Sequence, residues 1–325
     1  MHESERVTLA RLPSGVRIET TVHSYGTDDG PTLYVQAAQH GREVNGAEVL
    51  RRFHERVDTG ALRGRVVAVP VANPLTFDRV SYTTPERLDS VNANMNRVWP
   101  GDESGTLHER MAATLWAYAS EADAIVDLHT GGPDMLTHVV FKEGDAGARA
   151  LAEAFGTGLL LGEPADDDER TEWSERDFDG KFRVAASEAG IPAITPELAH
   201  NKQLVEPAIE TGVEGLFDVC RSLGMLDGRP TATDQTLARN HLGSVEAADS
   251  GLFRPHPNRA VGQTVEAGDP LGTLYDPANY AVLQEATVGD DGVLYALTRE
   301  ATVTAGQSLG NVALVREEGG SERTN

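Results

Sequence analysis

Three apolar runs restrict this chain more than any other feature. Leu33-Tyr34-Val35-Gln36-Ala37, Val66-Val67-Ala68-Val69-Pro70-Val71 and Ala124-Ile125-Val126-Asp127-Leu128 are nearly continuous rather than alternating. A strand that is solvated on one face alternates, whereas a strand covered on both faces need not. Helix-period patterns follow two of these runs, over 45–57 and 106–120, and further helices are expected at 145–156, 180–190 and 205–224. Short strands are expected at 137–141 and 193–197, and an opening hairpin at 7–22 turns on Pro13-Ser14-Gly15. Alternating strands and helices predict an α/β fold, with a mostly parallel or mixed sheet flanked by helices. The long polar segment from Asn73 to about Glu103 lacks periodicity, which marks it as a functional loop or a disordered one.

The composition changes near Gly228. Beyond it the chain is rich in Gly, Pro, Val and Thr, and it repeats itself. Val265-Glu266-Ala267-Gly268-Asp269-Pro270-Leu271-Gly272 returns 38 residues later as Val303-Thr304-Ala305-Gly306-Gln307-Ser308-Leu309-Gly310. Two similar β units predict a small sandwich or barrel with internal pseudo-symmetry. Two domains are therefore expected, an α/β domain at 1–228 and an all-β domain at 229–325.

The formal net charge is -23, and only three of the 28 basic residues are lysines. The acidic excess is spread along the chain. Such a surface is soluble but repels itself unless salt screens it, a pattern resembling proteins of salt-loving archaea. A nucleic-acid partner is excluded, because phosphate contacts need clustered basic charge. An acidic face for a basic protein is the weaker rival. No apolar run is long enough to span a membrane, and the polar N-terminus does not read as a signal peptide. The single cysteine, Cys220, cannot form an intrachain disulfide and reads as a small core residue. A cytoplasmic protein without membrane contact is expected.

Chemistry concentrates where the apolar runs end. His40 and Glu43 follow the first run and precede a helix. In an open α/β sheet, ligands gather at the carboxyl ends of strands. An imidazole and a carboxylate three residues apart on such a turn can converge on one ion, with Gly41 permitting the tight path. His129 ends the third run and is the natural third ligand of a zinc site whose fourth position is water. Asp127 is either an outer partner that fixes an imidazole or an ordinary strand-end hydrogen-bonding group. Asn96-Arg97 suits a carboxylate, and equally a structural ion pair in so acidic a protein. Glu197, at a later strand end, could take a proton from water; alone it would read as a surface acid. His2, His23, His54, His108, His138, His200, His241 and His256 read as surface or loop residues.

His40-x-x-Glu43, Asn73-Pro74, Asn96-Arg97-x-x-Pro100-Gly101, Asp127-Leu128-His129-Thr130 and Pro196-Glu197-Leu198 occur together in this order. The pattern resembles the succinylglutamate desuccinylase/aspartoacylase family of the zinc-carboxypeptidase-like fold, over roughly residues 30–315. The resemblance implies one Zn(2+) per chain held by His40, Glu43 and His129. It implies Glu197 as general base and then acid, and Asn96 and Arg97 as binders of a substrate carboxylate. It departs from the family at Asn94-Met95-Asn96-Arg97, where Asp-Leu-Asn-Arg is usual, and at Tyr82, where an arginine is common. Arg79, Arg87 or Tyr82 is left to assist the oxyanion. Ala199-His200-Asn201 also replaces the usual small residues. The C-terminal repeat resembles biotinyl/lipoyl-like β folds, but no lysine follows Lys202, so it cannot carry such a cofactor.

The expected activity is that of a zinc-dependent amidohydrolase, a deacylase cleaving the carbon–nitrogen bond of a small N-acyl amino acid rather than a peptide bond. The alternatives are a zinc carboxypeptidase acting on peptides and a non-catalytic binding protein on the same fold. Homo-oligomerisation stays open.

The charge generates a prediction of its own. Thermal unfolding followed from low to molar KCl should show a rising midpoint, since the Debye length falls to about 3 Å at 1 M salt. A flat curve would give the acidic surface another purpose.

Overall fold

The computed structural model describes residues 1–85, 88, 89, 91–132, 134–163 and 178–315. Strands β1 (His2–Arg11) and β2 (Arg17–Gly26) form the opening hairpin. They are followed by β3 (Thr32–Ala37), β4 (Arg65–Val69), β5 (Ala124–Gly131), β6 (His138–Lys142), β7 (Leu159–Glu163) and β8 (Ala193–His200). Helices α1 (Asn45–Arg56), α2 (Pro74–Phe77), α3 (Leu107–Ala119), α4 (Ala146–Phe155), α5 (Phe182–Glu188) and α6 (Glu206–Ser222) lie between and after them. The remaining strands are β9 (Thr236–Glu246), β10 (Gly251–Pro255), β11 (Thr264–Val265), β12 (Pro270–Tyr275), β13 (Val282–Thr287), β14 (Gly292–Leu297), β15 (Thr302–Val303) and β16 (Ser308–Val315).

Among the described residues, one twelve-stranded sheet runs β1-β2-β4-β3-β5-β8-β6-β7-β9-β16-β14-β11, beside a four-stranded sheet β13-β12-β10-β15. The large sheet is mixed. β4, β3, β5 and β8 are parallel, β6 enters antiparallel to β8, and β7 and β9 are parallel to β6. β7 is a strand that the sequence pattern did not announce; its Leu159-Leu160-Leu161 run is short and lies between glycines. Through the β7–β9 pairing the large sheet continues past residue 228 into the C-terminal part without a break.

Strand parity sorts the core. Leu33, Val35, Ala37, Val126, Leu128, Ile194 and Leu198 pack on the face that α1, α4 and α6 cover. Tyr34, Ile125 and Ala193 face the other way, with α3 and α5. Successive strand residues point to opposite faces. Asp127 and His129 therefore share the face of Ile125, and Thr195 and Glu197 that of Ala193. Each fully buried Leu or Val contributes about 1.5–3 kcal/mol, so the register that fixes these faces is strongly held.

The helix ends are built locally. Thr106 caps α3 with a capping box to Glu109, Asn73 caps α2, and Asp145 caps α4. Asn45 at the start of α1 donates to the Leu198 carbonyl at 2.8 Å and accepts from Val205 N–H at 3.0 Å. One side chain thus ties α1 to the end of β8 and to the start of α6. No helix among the described residues is long and apolar enough to cross a membrane.

The C-terminal repeat is visible as structure. Val265 and Leu271 in the first copy, and Val303 and Leu309 in the second, all enter one core. Gly268 and Gly306 both take positive φ, at 90° and 81°. The copies swap sheets: β11 joins the large sheet and β12 the small, whereas β15 joins the small and β16 the large.

Gly46 lets α1 sit close on the sheet. A Cβ there would lie 2.8 Å from Leu128 Cβ and 3.0 Å from Ala37 Cβ. Gly46→Ala should therefore lower stability in urea unfolding by about 1–3 kcal/mol, the usual cost of overpacking. Gly289→Ala, where a Cβ meets nothing within 4 Å, is the control and should change little.

Candidate metal centre and active site

After β3 the chain turns at Ala38, whose φ of 54° is left-handed. For a residue with a Cβ this costs on the order of 1–2 kcal/mol. The Ala37 and Ala38 carbonyls are then taken by Ala72 and Asn73 N–H at 2.8 and 3.2 Å, which locks the turn to the segment after β4. Glu43 N–H donates to the His40 carbonyl at 3.0 Å and brings the two side chains to one point. Gly41 is needed there for space rather than for φ, because a Cβ would overlap the Thr76 backbone of α2.

The three residues singled out as ligands meet. His40 Nδ1 lies 2.8 Å from Glu43 Oε1, and His129 Nδ1 lies 3.0 Å from Glu43 Oε2. Their potential ligand atoms all fall within 4.8 Å of one another, and all three residues are buried. Thr130 N–H donates to Glu43 Oε2 at 3.3 Å. Both far imidazole nitrogens face oxygens: His129 Nε2 lies 2.9 Å from Asp127 Oδ2 and His40 Nε2 lies 3.1 Å from Asn94 Oδ1. Hydrogens on those nitrogens leave both Nδ1 atoms with lone pairs toward Glu43. Two lone pairs and a carboxylate at one point demand a positive charge. In the chain by itself a proton supplies it. Burial opposes the charge on His129, but Asp127 and Glu43 outweigh this and raise its pKa well above the ordinary value. Burial likewise works to raise Glu43, yet His40 and His129 hold it at about 2. A nitrogen, nitrogen and oxygen donor set of this kind fits a zinc ion.

Glu197 stands beside His129, with which it is paired in register on the neighbouring strand. Its Oε2 is buried without a hydrogen-bond partner among the described residues. Burial pushes its carboxyl up to about 7. An unpaired carboxylate oxygen at the wall of a cavity is unusual and is placed to accept from a water or a substrate.

These groups line a cavity of about 320 Å³. Asn96 and Arg97 line it too. Asn96 Oδ1 accepts from the N–H of Phe182 at 2.9 Å, at the start of α5. Tyr82 lines the cavity and stacks on His40 at 4.0 Å between centroids, with the Arg42 guanidinium 4.7 Å from its own ring. Arg79 is not among the lining residues; its Nη1 donates to the Leu75 carbonyl at 3.1 Å. Arg87 lies outside the described residues.

Several lining residues had no signal in the sequence. Lys181 precedes α5, its ammonium 3.2 Å from the centre of the Phe178 ring, and burial pushes its pKa down to about 7. Arg183 and Glu163 form a buried bidentate pair at 2.5 and 2.7 Å. Tyr295 and Asn311 come from β14 and β16. That wall is fastened to the segment after His129 by Leu136 N–H to the Tyr295 carbonyl at 2.8 Å and Leu297 N–H to the Asp134 carbonyl at 2.9 Å. Only Lys181, one of three lysines in a chain of arginines, could have attracted notice. The others are placed by chain elements far apart in sequence.

Two histidines correct the sequence reading. His108 is fully buried, 2.9 Å from Thr84 Oγ1, because the long segment folds over the start of α3. His138 is buried and lines the cavity, because β6 enters beside β8 with His138 opposite Glu197.

The chain is 27% identical over 316 residues to an N-alpha-acetyl-L-2,4-diaminobutyric acid deacetylase of Halomonas elongata, an alignment covering 93% of this chain and 87% of that protein. Its fold is similar to that of a succinylglutamate desuccinylase/aspartoacylase from Rhodobacter sphaeroides, with TM-score 0.83, 24% identity and coverage of 97% of this chain and 96% of that one. The product-bound ectoine utilization protein EutE (DoeB) of Ruegeria pomeroyi gives a TM-score of 0.81 at 21% identity, covering 97% of this chain and 95% of that chain. The succinylglutamate desuccinylase/aspartoacylase catalytic domain matches residues 29–223, well over half of the sequence, and the chain belongs to that family.

Proposed function

We propose that this protein is a zinc-dependent deacylase that hydrolyses the amide bond of a small N-acyl amino acid. The observation that carries this reading is the buried Glu197 Oε2, without a hydrogen-bond partner among the described residues, beside the His40–Glu43–His129 cluster. His40 Nδ1, Glu43 and His129 Nδ1 would hold the ion. When bound, zinc would supply Lewis acidity, polarising the scissile carbonyl and acidifying water.

The chain's own groups do the rest. Glu197 accepts the proton of the attacking water on its free oxygen and returns it to the leaving amine. Its elevated pKa suits both halves of that transfer. Arg97, with the amide nitrogen of Asn96, holds the substrate carboxylate. Burial keeps the Tyr82 phenol protonated, so it can donate to the carbonyl oxygen as negative charge develops there. Residues 1–228 serve as the catalytic α/β unit. Residues 229–325 are taken as the second unit, and Tyr295 and Asn311 in its described part line the cavity. A cavity of about 320 Å³ walled in this way suits one acylated amino acid better than a peptide. The deacetylase activity named for the Halomonas relative makes an N-acetyl diamino acid the first substrate to test.

Purified protein should carry close to one zinc per chain, and His129→Ala should lose metal and activity together; full metal content in that variant would remove the assignment. Because zinc must displace the proton that His129 holds in the metal-free chain, apparent zinc affinity should rise with pH up to that raised pKa. Isothermal titration at several pH values measures this.

Two substitutions separate the base from the clamp. Glu197→Gln should keep zinc and lose rate by about 10²–10⁴-fold. Arg97→Ala should keep zinc and raise KM for carboxylate-bearing substrates. Wild-type turnover of acylated amino acids by Glu197→Gln would refute the mechanism and leave only a binding role for the cluster.

A further inference from the structure

Trp99 stands at the far end of the segment that carries Asn94, Asn96 and Arg97. Its indole N–H donates to Gln39 Oε1 at 2.8 Å. An indole nitrogen can only donate, so this contact identifies the two ends of the Gln39 amide. The oxygen faces Trp99 and the nitrogen faces Asp127, donating at 3.0 Å to Oδ1 and 2.9 Å to Oδ2. On the other side the Tyr34 hydroxyl donates to Gln36 Oε1 at 3.0 Å, which turns the Gln36 amide nitrogen to Asp127 Oδ1 at 3.1 Å. The Asp127 carboxylate thus receives hydrogens from two amides and meets His129 as an acceptor. His129 Nε2, 2.9 Å away, must carry the hydrogen between them. The 3.4 Å approach of Gln39 Nε2 to the same nitrogen is then a proximity of two donors, not a bond.

A backbone group does the equivalent for His40. Asn96 N–H donates to Asn94 Oδ1 at 2.9 Å, which marks that atom as oxygen. The same atom lies 3.1 Å from His40 Nε2, so this nitrogen also donates. Donor-only groups at the ends of two hydrogen-bond chains therefore fix both imidazoles with Nδ1 as the lone-pair atom. Every member of the first chain is buried, and low local dielectric strengthens such a chain when it is complete.

We propose that Trp99, acting through Gln39, is a positioning residue that holds the Asp127 carboxylate against His129 Nε2 and so keeps His129 Nδ1 aimed at a divalent metal. This inference rests on the reading of His40, Glu43 and His129 as the metal-holding set. Without the indole N–H, the Gln39 amide can rotate and turn its oxygen to Asp127. Two acceptors then face each other, and the Asp127 carboxylate loses the amide that holds it in place behind His129.

The test is zinc affinity of the full-length, metal-free chain, measured by competition with a chelator. Gln39→Met should weaken zinc binding about 10–100-fold, the usual effect of removing an outer partner, and Trp99→Phe about 10-fold. Because Trp99 acts through Gln39, the double variant should bind no worse than Gln39→Met alone. Phe at position 99 keeps an aromatic ring against Phe182, whose centroid is 4.3 Å away, so the unfolding midpoint of the metal-free variant should stay near wild type. A purely structural Trp99 would lower that midpoint and leave zinc affinity alone. Unchanged affinity in Trp99→Phe, or losses that multiply in the double variant, would overturn the proposal. If Gln39→Met does not fold, the affinity of Trp99→Phe decides by itself. A wild-type chain that binds no zinc would remove the ligand-set reading, and this inference with it.

Discussion

A carboxylate buried between two imidazoles governs this structure. Glu43 is 4% exposed, with a ring nitrogen on each of its oxygens at 2.8 and 3.0 Å. A carboxylate taken from water is costly unless it is paired and hydrogen-bonded. Its partners come from the turn after β3 and from the end of β5, so the pairing is possible only when those strands are adjacent and in register. The turn in turn needs Gly41 against α2 and the left-handed Ala38. Strain of this kind persists where the surroundings over-determine it, and here backbone hydrogen bonds from residues 72 and 73 do so.

The cavity follows from the same sheet. Parallel strands deliver their carboxyl ends to one rim, and parity sends Asp127, His129, Thr195 and Glu197 to one face. β6 enters the opposite way and so delivers its first residue, His138, to that rim. The remaining wall comes from β14 and β16, because the large sheet continues through β9 into the C-terminal strands. Charge inside is mixed. Arg183 and Glu163 neutralise one another as a buried pair, and Arg97, Lys181 and Arg42 line the same cavity. A buried pair of this sort gives little net stability, but it holds the start of α5 against the end of β7.

Outside the cavity, the arginines answer the acidic surface. Arg52 and Arg56 on α1 reach Glu206, Glu210 and Glu214 on α6. Exposed pairs contribute roughly 0–1 kcal/mol each. The junction of the two helices is therefore held chiefly by the core beneath them, with Val49, Phe53, Ile209 and Val213 in it.

The sequence by itself determined the strands that are buried on both faces, the helices between them and the internal repeat. Those depend on local period and composition, and β3, β4, α1, α3 and α6 lie within a residue or two of where the pattern put them, while β5 runs three residues further, to Gly131. The sequence also put His40 and Glu43 just after β3, where they lie, whereas His129 and Glu197, read as strand ends, fall inside β5 and β8, which run on to Gly131 and His200. Tertiary structure alone decided what those residues meet. β7 was invisible because its apolar run, Leu159-Leu160-Leu161, is too short to distinguish strand from helix. Lys181, Glu163 and Arg183 became neighbours of the site through β7 and α5, and Tyr295 through a sheet that crosses the compositional boundary at residue 228. His108 and His138 read as surface residues because burial depends on what folds over a side chain, not on its own neighbours in sequence. The hold on the carboxylate behind His129 lay furthest from the sequence. It depends on Trp99 meeting Gln39, two residues 60 positions apart that share no local pattern.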